Sequence, residues 1–256
     1  MSIAVIIPAR YDSVRFPGKP LALISGKPMI EHVVSAAKKS KLANQVIVAT
    51  DDERICDFVT NKLSTKAVLT SKKHNSGTDR ISEVVKKDPS IKLIVNLQGD
   101  EPLIPSSYID KVLEPLLTSE PPDFNTPGHL SMTSLITQIT NNDDLNNPNI
   151  VKVVMDSNGF ALYFSRSAIP YNRTGKKDIK YFKHIGIYGY TREAILQFNL
   201  LLQSSLEQSE CLEQLRAMEN GIKIKLEVVP KAFPAIDIPD DIKIVENIIK
   251  LQAVKS

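Results

Sequence analysis

An uninterrupted apolar run, Ile3-Ala4-Val5-Ile6-Ile7, stands near the start of the chain and stops at Pro8. Consecutive apolar residues leave no polar face, so a strand here must be covered on both sides. That points to a sheet sandwiched between helices. The next stretch keeps the same rhythm. Met29, Ile30, Val33, Val34 and Ala37 recur at helical spacing, and Val46-Ile47-Val48-Ala49 is a second buried strand. A helix is expected from about Asp52 to Leu63, and Ala67-Val68-Leu69 is a third short strand. Ile81 to Val85 belongs to a helix entered through Ser76-Gly77. Leu93-Ile94-Val95-Asn96-Leu97 is a fourth strand, running out at Gly99-Asp100. This alternation predicts an α/β fold, Rossmann-like, with a mostly parallel sheet flanked by helices.

The second half is less regular. Val151 to Val154 and Ala161 to Phe164 form an expected hairpin around Asn158-Gly159, a strong turn pair. Ile185 to Tyr190 and Ile224 to Val229 read as strands. Leu206 to Asn220 reads as one helix closed by Gly221, and Asp240 to Leu251 as a final helix. The sheet is therefore expected to be mixed, with a β-rich second-half extension. The polar stretches Thr118 to His129 and Tyr171 to Lys180 read as surface loops.

With 256 residues, 42% of them hydrophobic, the chain can bury the core of one large domain. The net charge of +3 is not gathered into a basic stripe, which argues against a nucleic-acid partner. Two cysteines, Cys56 and Cys211, fall in segments read as helices and show no metal or disulfide spacing. They read as packing residues in a reducing cytoplasm. The N-terminal apolar run is too short for a secretory h-region, and no run approaches membrane-spanning length. A cytoplasmic protein with no membrane partner is expected.

Three segments carry chemistry. The loop from Pro8 to Pro20 begins where the first strand ends, and carboxyl ends of strands form the ligand crevice of open α/β sheets. It holds Arg10, Arg15 and Lys19 among turn formers. Triphosphates call for such cations together with inward-turned backbone N–H groups. In the second segment, His74 to Arg80, Ser76-Gly77 opens a helix and permits close ligand approach. Ser76 or Thr78 is the expected N-cap, with Asp79 in the first turn. In the third, Asn96-Leu97-Gln98-Gly99-Asp100-Glu101 sets a carboxylate at the same sheet edge, suited to Mg²⁺ among phosphate oxygens. Asp237 alone reads as a helix-start signal. Glu207, Glu210 and Gln214 share one stripe of the expected helix, and Arg166 and His184 bracket the loop after Pro170. By themselves these residues fit a nucleotidyltransferase for any of several bases and sugars, or a nucleotide sensor without catalysis.

The motifs Pro8-Ala9-Arg10-Tyr11-x-Ser13-x-Arg15-x-Pro17-Gly18-Lys19-Pro20, His74-x-Ser76-Gly77-Thr78-Asp79-Arg80 and Val95-Asn96-x-Gln98-Gly99-Asp100-Glu101-Pro102 resemble those of the 3-deoxy-manno-octulosonate cytidylyltransferases. The likeness continues through Asn147 to Val154, Ala161 to Arg166, His184 to Tyr190 and Leu212 to Arg216. It implies a nucleotide-diphospho-sugar transferase type of fold. It also implies condensation of CTP with 3-deoxy-manno-octulosonate (Kdo), giving CMP-Kdo and pyrophosphate for lipopolysaccharide synthesis. By that resemblance Arg10, Arg15 and Lys19 hold the triphosphate, Pro8 and Ala9 belong to the same nucleotide-binding set, and Ser76, Gly77 and Gln98 lie near cytosine and ribose, with Arg80 nearby. Asp100 and Asp237 bind Mg²⁺, with Lys19, Asp100 and Arg10 as the catalytic set. Arg166, His184, Tyr188, Glu210 and Gln214 line the sugar pocket. It further implies a single α/β domain over residues 1–256, with a nucleotide-binding half (1–117) and a sugar-binding, homodimer-forming half (130–256).

Overall fold

The computed structural model describes residues 1–13, 15–118, 130–176 and 178–253. In chain order the strands are β1 (Ser2–Ala9), β2 (Leu23–Ile24), β3 (Lys27–Pro28), β4 (Gln45–Thr50), β5 (Lys66–Leu69), β6 (Ile91–Asn96), β7 (Met132–Ile139), β8 (Lys152–Met155), β9 (Ala161–Ser165), β10 (Tyr181–Thr191) and β11 (Ile224–Val228). The helices are α1 (Met29–Ala37), α2 (Glu53–Asp57), α3 (Gly77–Lys87), α4 (Ser106–Thr118), α5 (Asn142–Asn146), α6 (Arg192–Phe198), α7 (Ser205–Glu210), α8 (Gln214–Glu219) and α9 (Asp241–Ala253). The chain forms two compact units, one of residues 1–110 and 233–256, the other of residues 111–232. The C-terminal segment thus returns Asp237 to the unit that holds β1.

In the first unit the strands run β6–β1–β4–β5, each neighbour parallel. Ala4, Val5, Ile6 and Ile7 are wholly buried, as the unbroken apolar run requires. Each buried isoleucine contributes on the order of 1.5–3 kcal/mol by leaving water. Parallel pairing of Ala9 with Thr50 and of Ile6 with Asn96 brings the carboxyl ends of three strands to one edge. A second cluster of buried Ile24, Met29, Ile236 and Val245 packs against Phe16 and Leu103, so α9 and the turn before it are held to the first loop by apolar contact.

Two helix starts follow their sequence signals. Ser76 caps α3 by accepting from Asp79 N at 3.1 Å, while Asp79 accepts from Ser76 N at 3.1 Å. Asp52 caps α2, which then widens into a π-helical turn at Phe58–Lys62. Helix α4 and strand β7 have no counterpart in the sequence expectations. Tyr108, Ile109, Val112, Leu113 and Leu116 form the buried stripe of α4, which contains Pro115. Thr118 is the last residue of that helix; the rest of its expected loop, 119–129, lies outside the described residues.

In the second unit the order is β11–β7–β10, with β8 pairing β10 and β9. Pairs β7/β10, β8/β10 and β8/β9 are antiparallel and β7/β11 is parallel, so the late antiparallel strands occur as expected. The β8–β9 hairpin turns through Gly159 at φ +76°.

One expectation is overturned. Leu206 to Asn220 is two short helices, because Cys211 adopts the left-handed conformation at φ +52° and ends α7. The shared stripe of Glu207, Glu210 and Gln214 therefore does not exist. Glu207 is buried, completes the capping box of α7 and accepts from Arg216 Nε at 2.7 Å. Cys211 is exposed and outside any helix, not a packing residue; Cys56 lies in α2, half-buried. Left-handed backbone strains a residue with a Cβ, and β-branching worsens it. Cys211→Val should therefore lower stability by about 1–2 kcal/mol, and Cys211→Gly should be neutral or stabilising, since the strain relieved offsets the chain entropy lost. Urea unfolding decides between a break and a continuous helix. Inside a helix, glycine would instead destabilise by about 1 kcal/mol.

Candidate active site

A cavity of about 320 Å³ opens at the carboxyl ends of β1 and β6. Pro8, Ala9, Arg10, Arg15, Lys19, Ser76, Gly77, Arg80 and Gln98 all line it, together with Asp100 and Asp237. Every residue assigned to the nucleotide or the metal from sequence thus reaches one concavity, of the size that holds small ligands. Ser13 and Asn75 also line it, and neither stood out among the charged and glycine positions of the motifs.

Close backbone approach shapes the floor. A β-carbon on Gly99 would lie 2.9 Å from the Pro8 carbonyl oxygen, and one on Gly77 would lie 3.1 Å from Pro8 Cγ. Gly99 leaves no room for a side chain and Gly77 very little, because the strand end, the α3 start and the β6 exit converge on Pro8. Gln98 Nε2 donates to Asn96 Oδ1 at 2.9 Å, which fixes the amide plane beside the cavity.

The cations are held by the carboxylates. Lys19, largely buried, donates from Nζ to Asp100 Oδ2 at 2.7 Å and to the Ile236 carbonyl at 2.9 Å. Arg15 pairs with Asp237 Oδ1 at 3.0 Å, a solvent-exposed contact. Ile236 N donates to the Asp100 carbonyl at 2.9 Å, which ties Asp237 to the β6 exit. Asp100 Oδ1 and Asp237 Oδ2 have no bonding partner among the described residues. Hard carboxylate oxygens facing a phosphate-sized space suit Mg²⁺. No group of three or more acidic, histidine or cysteine side chains gathers around one point among the described residues, so phosphate oxygens and water would complete such a site. Burial first, then the neighbouring Asp100, pushes the Glu101 carboxyl up to about 8.

Arg80 has a second occupation. It is buried, donates from Nη1 to Thr70 Oγ1 at 2.5 Å and pairs through Nη2 with Asp51 Oδ2 at 2.8 Å. That anchors the first turn of α3 to the end of β4. His74 is structural as well: its Nε2 meets Glu83 Oε2 at 2.5 Å. Burial would raise the Glu83 pKa, yet hydrogen bonds from Lys87, Ser71 N and His74 bring it down to about 2.

The five residues expected to line a sugar pocket all lie in the second unit. Arg166 and Glu210 are joined twice, by Arg166 N to Glu210 Oε2 at 2.9 Å and by Arg166 Nε to the Glu210 carbonyl at 2.7 Å. Ser165 Oγ donates to Glu210 Oε1 at 2.6 Å. Burial opposes ionisation of Glu210, but the bonds from Arg166 N, Ser165 and Tyr163 outweigh it and hold its pKa below the usual carboxylate value. The Arg166 guanidinium also donates to the carbonyls of Pro148 and Cys211, so backbone acceptors occupy much of its fork. His184 and Tyr188 stack with centroids 5.3 Å apart, and Phe164 meets the imidazole edge-on. Ser134 Oγ donates to the Ile187 carbonyl at 2.9 Å, so His184 Nε2, 2.8 Å away, is the protonated nitrogen. Gln214 is buried at the start of α8.

Lys152 was missed as more than part of a strand. Its side chain is fully buried, and Nζ donates to the carbonyls of Asn147 and Ile150 at 2.8 and 2.6 Å. It shapes the turn whose Pro148 carbonyl receives Arg166. Burial first, then the nearby Arg166 charge, lowers its pKa. A single charge inside an apolar strand was the available signal.

Burial brings the His184 pKa from 6.5 down to about 3. The unfolded chain then binds more protons than the folded one between those values, so this residue erodes stability as pH falls from about 6.5 towards 3. Urea midpoints at pH 7 and pH 5 check this: His184→Gln should lose less stability on acidification than the parent chain.

The comparisons with known proteins agree with this geometry. A family model described as cytidylyltransferase matches residues 4–224. A 3-deoxy-manno-octulosonate cytidylyltransferase of Thermodesulfovibrio yellowstonii is 48% identical, over 94% of this chain and 96% of that protein. An 8-amino-3,8-dideoxy-manno-octulosonate cytidylyltransferase of Shewanella amazonensis is 43% identical, over 98% of this chain and 100% of that protein. A solved CMP:2-keto-3-deoxy-manno-octonic acid synthetase, in complex with CTP, superposes with TM-score 0.90 at 38% identity, covering 98% of this chain and 100% of that one.

Proposed function

The chain belongs to the 3-deoxy-manno-octulosonate cytidylyltransferases, and from that premise we propose that it joins CTP to Kdo, giving CMP-Kdo and pyrophosphate for lipopolysaccharide synthesis. The observation that carries this reading is the single cavity at the β1 and β6 ends. All nine expected nucleotide residues line it beside Asp100 and Asp237.

In this reading the anomeric hydroxyl of Kdo attacks the α-phosphorus and pyrophosphate departs in line. Such a transfer needs positioning and charge neutralisation more than covalent help from the protein. Arg10 and Arg15 offer planar forks to phosphate oxygens from the loop, and Lys19 supplies a point charge. Lys19 is already oriented by Asp100 and Ile236, so little reorganisation accompanies the reaction. Asp100 and Asp237 would hold Mg²⁺, which when bound neutralises charge on the phosphates. In the second unit, ionised Glu210 accepts hydroxyl hydrogens and the neutral His184 orients the sugar.

The same reading makes the enzyme a cytoplasmic homodimer. Support for the dimer is the exposed Leu162, Leu200 and Leu202 of the second unit. Sedimentation as a monomer at micromolar concentration would remove the dimer from it.

Pyrophosphate release should require CTP rather than ATP, GTP or UTP, and Kdo as acceptor. Turnover with 8-amino-3,8-dideoxy-manno-octulosonate in place of Kdo would reassign the acceptor, and no turnover with either sugar would defeat the reading. Lys19→Ala and Asp100→Asn should each lower kcat on the order of a hundredfold to a thousandfold, equivalent to about 3–4 kcal/mol. Near-normal turnover of Asp100→Asn under saturating CTP and Mg²⁺ would sink the metal role.

A further inference from the structure

We propose that Arg54 is a positioning residue for the triphosphate loop, acting through the ring of Tyr11. The inference rests on the reading of that loop as the grip on CTP. Neither side chain lines the cavity.

Tyr11 forms the neck of the loop. Its carbonyl accepts from Ser13 N at 3.0 Å and from Gly18 N at 2.9 Å, which closes residues 11–18 on themselves. Its ring edge lies against Gly18: a β-carbon there would be 3.1 Å from the Tyr11 hydroxyl, and Gly18 takes φ +72°. Arg10 immediately precedes this neck and Lys19 immediately follows it. The separation of those two cations is therefore set where Tyr11 meets Gly18.

Arg54 holds the ring from outside. Its guanidinium carbon stands 3.4 Å from the Tyr11 ring centroid, within cation–π range. The guanidinium is itself fixed, since Nε and Nη2 donate to the two oxygens of Asp52 at 2.9 and 2.7 Å. Asp52 also caps α2 by accepting from Arg54 N at 2.9 Å. Asp52 stands two residues beyond the end of β4, so a rigid strand supports the stack. Arg54 reaches the reaction only through Tyr11, because its fork is committed to Asp52.

A double-mutant cycle tests this by calorimetric CTP binding and by steady-state kinetics. Arg54→Met keeps an apolar stem of similar length and removes the charge. It should weaken CTP binding, and raise the KM for CTP, about two- to fivefold. The KM for Kdo should not move, and Arg54→Lys should restore part of the loss. In a Tyr11→Leu background the same change should have no further effect. Should Tyr11→Leu fail to fold, Tyr11→Phe keeps the ring and must keep the Arg54 dependence. Unchanged CTP affinity in Arg54→Met overturns the proposal, as does an equal loss in the Tyr11→Leu background, which would mean direct action on the nucleotide. Failure of the unmodified chain to bind CTP at all would instead strike the proposed function.

Discussion

Lys19 Nζ stands 2.7 Å from an Asp100 oxygen and 2.9 Å from the Ile236 carbonyl. Those bonds join three segments distant in sequence: the loop after β1, the exit of β6 and the turn before α9. The ammonium is largely buried, so its charge is screened less than that of the exposed Arg15–Asp237 pair beside it. Removing either partner would leave a partly desolvated charge, and the cavity would lose both a cation and a carboxylate in position. The parallel strands deliver the segments to one edge, and Lys19 fixes them there.

The end of β4 serves as a second anchor. Asp51 receives Arg80 and so holds the start of α3, where Ser76 and Gly77 face the cavity. Asp52 receives Arg54, whose guanidinium covers Tyr11 at the neck of the first loop. Two adjacent carboxylates just beyond one strand end thus hold the start of α3 and the ring of Tyr11 through arginines.

In the second unit, the structure changes what the residues are available to do. Arg166 spends donors on the carbonyls of Glu210, Pro148 and Cys211, and the buried Lys152 shapes the turn that supplies one of them. Glu210 is kept ionised by Ser165 and by the Arg166 backbone. Arg166 therefore holds together the segments around Glu210, Pro148 and Cys211.

Much of the first unit was legible because its signals are local. The run Ile3 to Ile7 is a covered strand, and Ser76 and Asp79 form a cap within one turn of chain. Helix α4 and strand β7 were not, for opposite reasons. Pro115, a helix-breaking residue type, lies inside α4, and β7 buries Thr133, Ser134 and Thr137 whose hydroxyls look like those of a loop. Only a partner such as the Val112 carbonyl, 2.6 Å from Thr133 Oγ1, makes that burial acceptable. Likewise nothing in the sequence near Cys211 marks a left-handed residue, and the break there removed the stripe expected of a longer helix.

The sequence by itself determined the alternation of covered strands and helices, the identity of the cations and carboxylates, and the family, since these depend on residue type and spacing along the chain. The tertiary structure decided which of those charges face the cavity and which are consumed in holding it. Arg54 is as basic as Lys19 in the sequence, yet only Lys19 lines the cavity. They differ because Asp52, just beyond the end of β4, holds Arg54 beside Tyr11, and electrostatic partnership depends on distance in space.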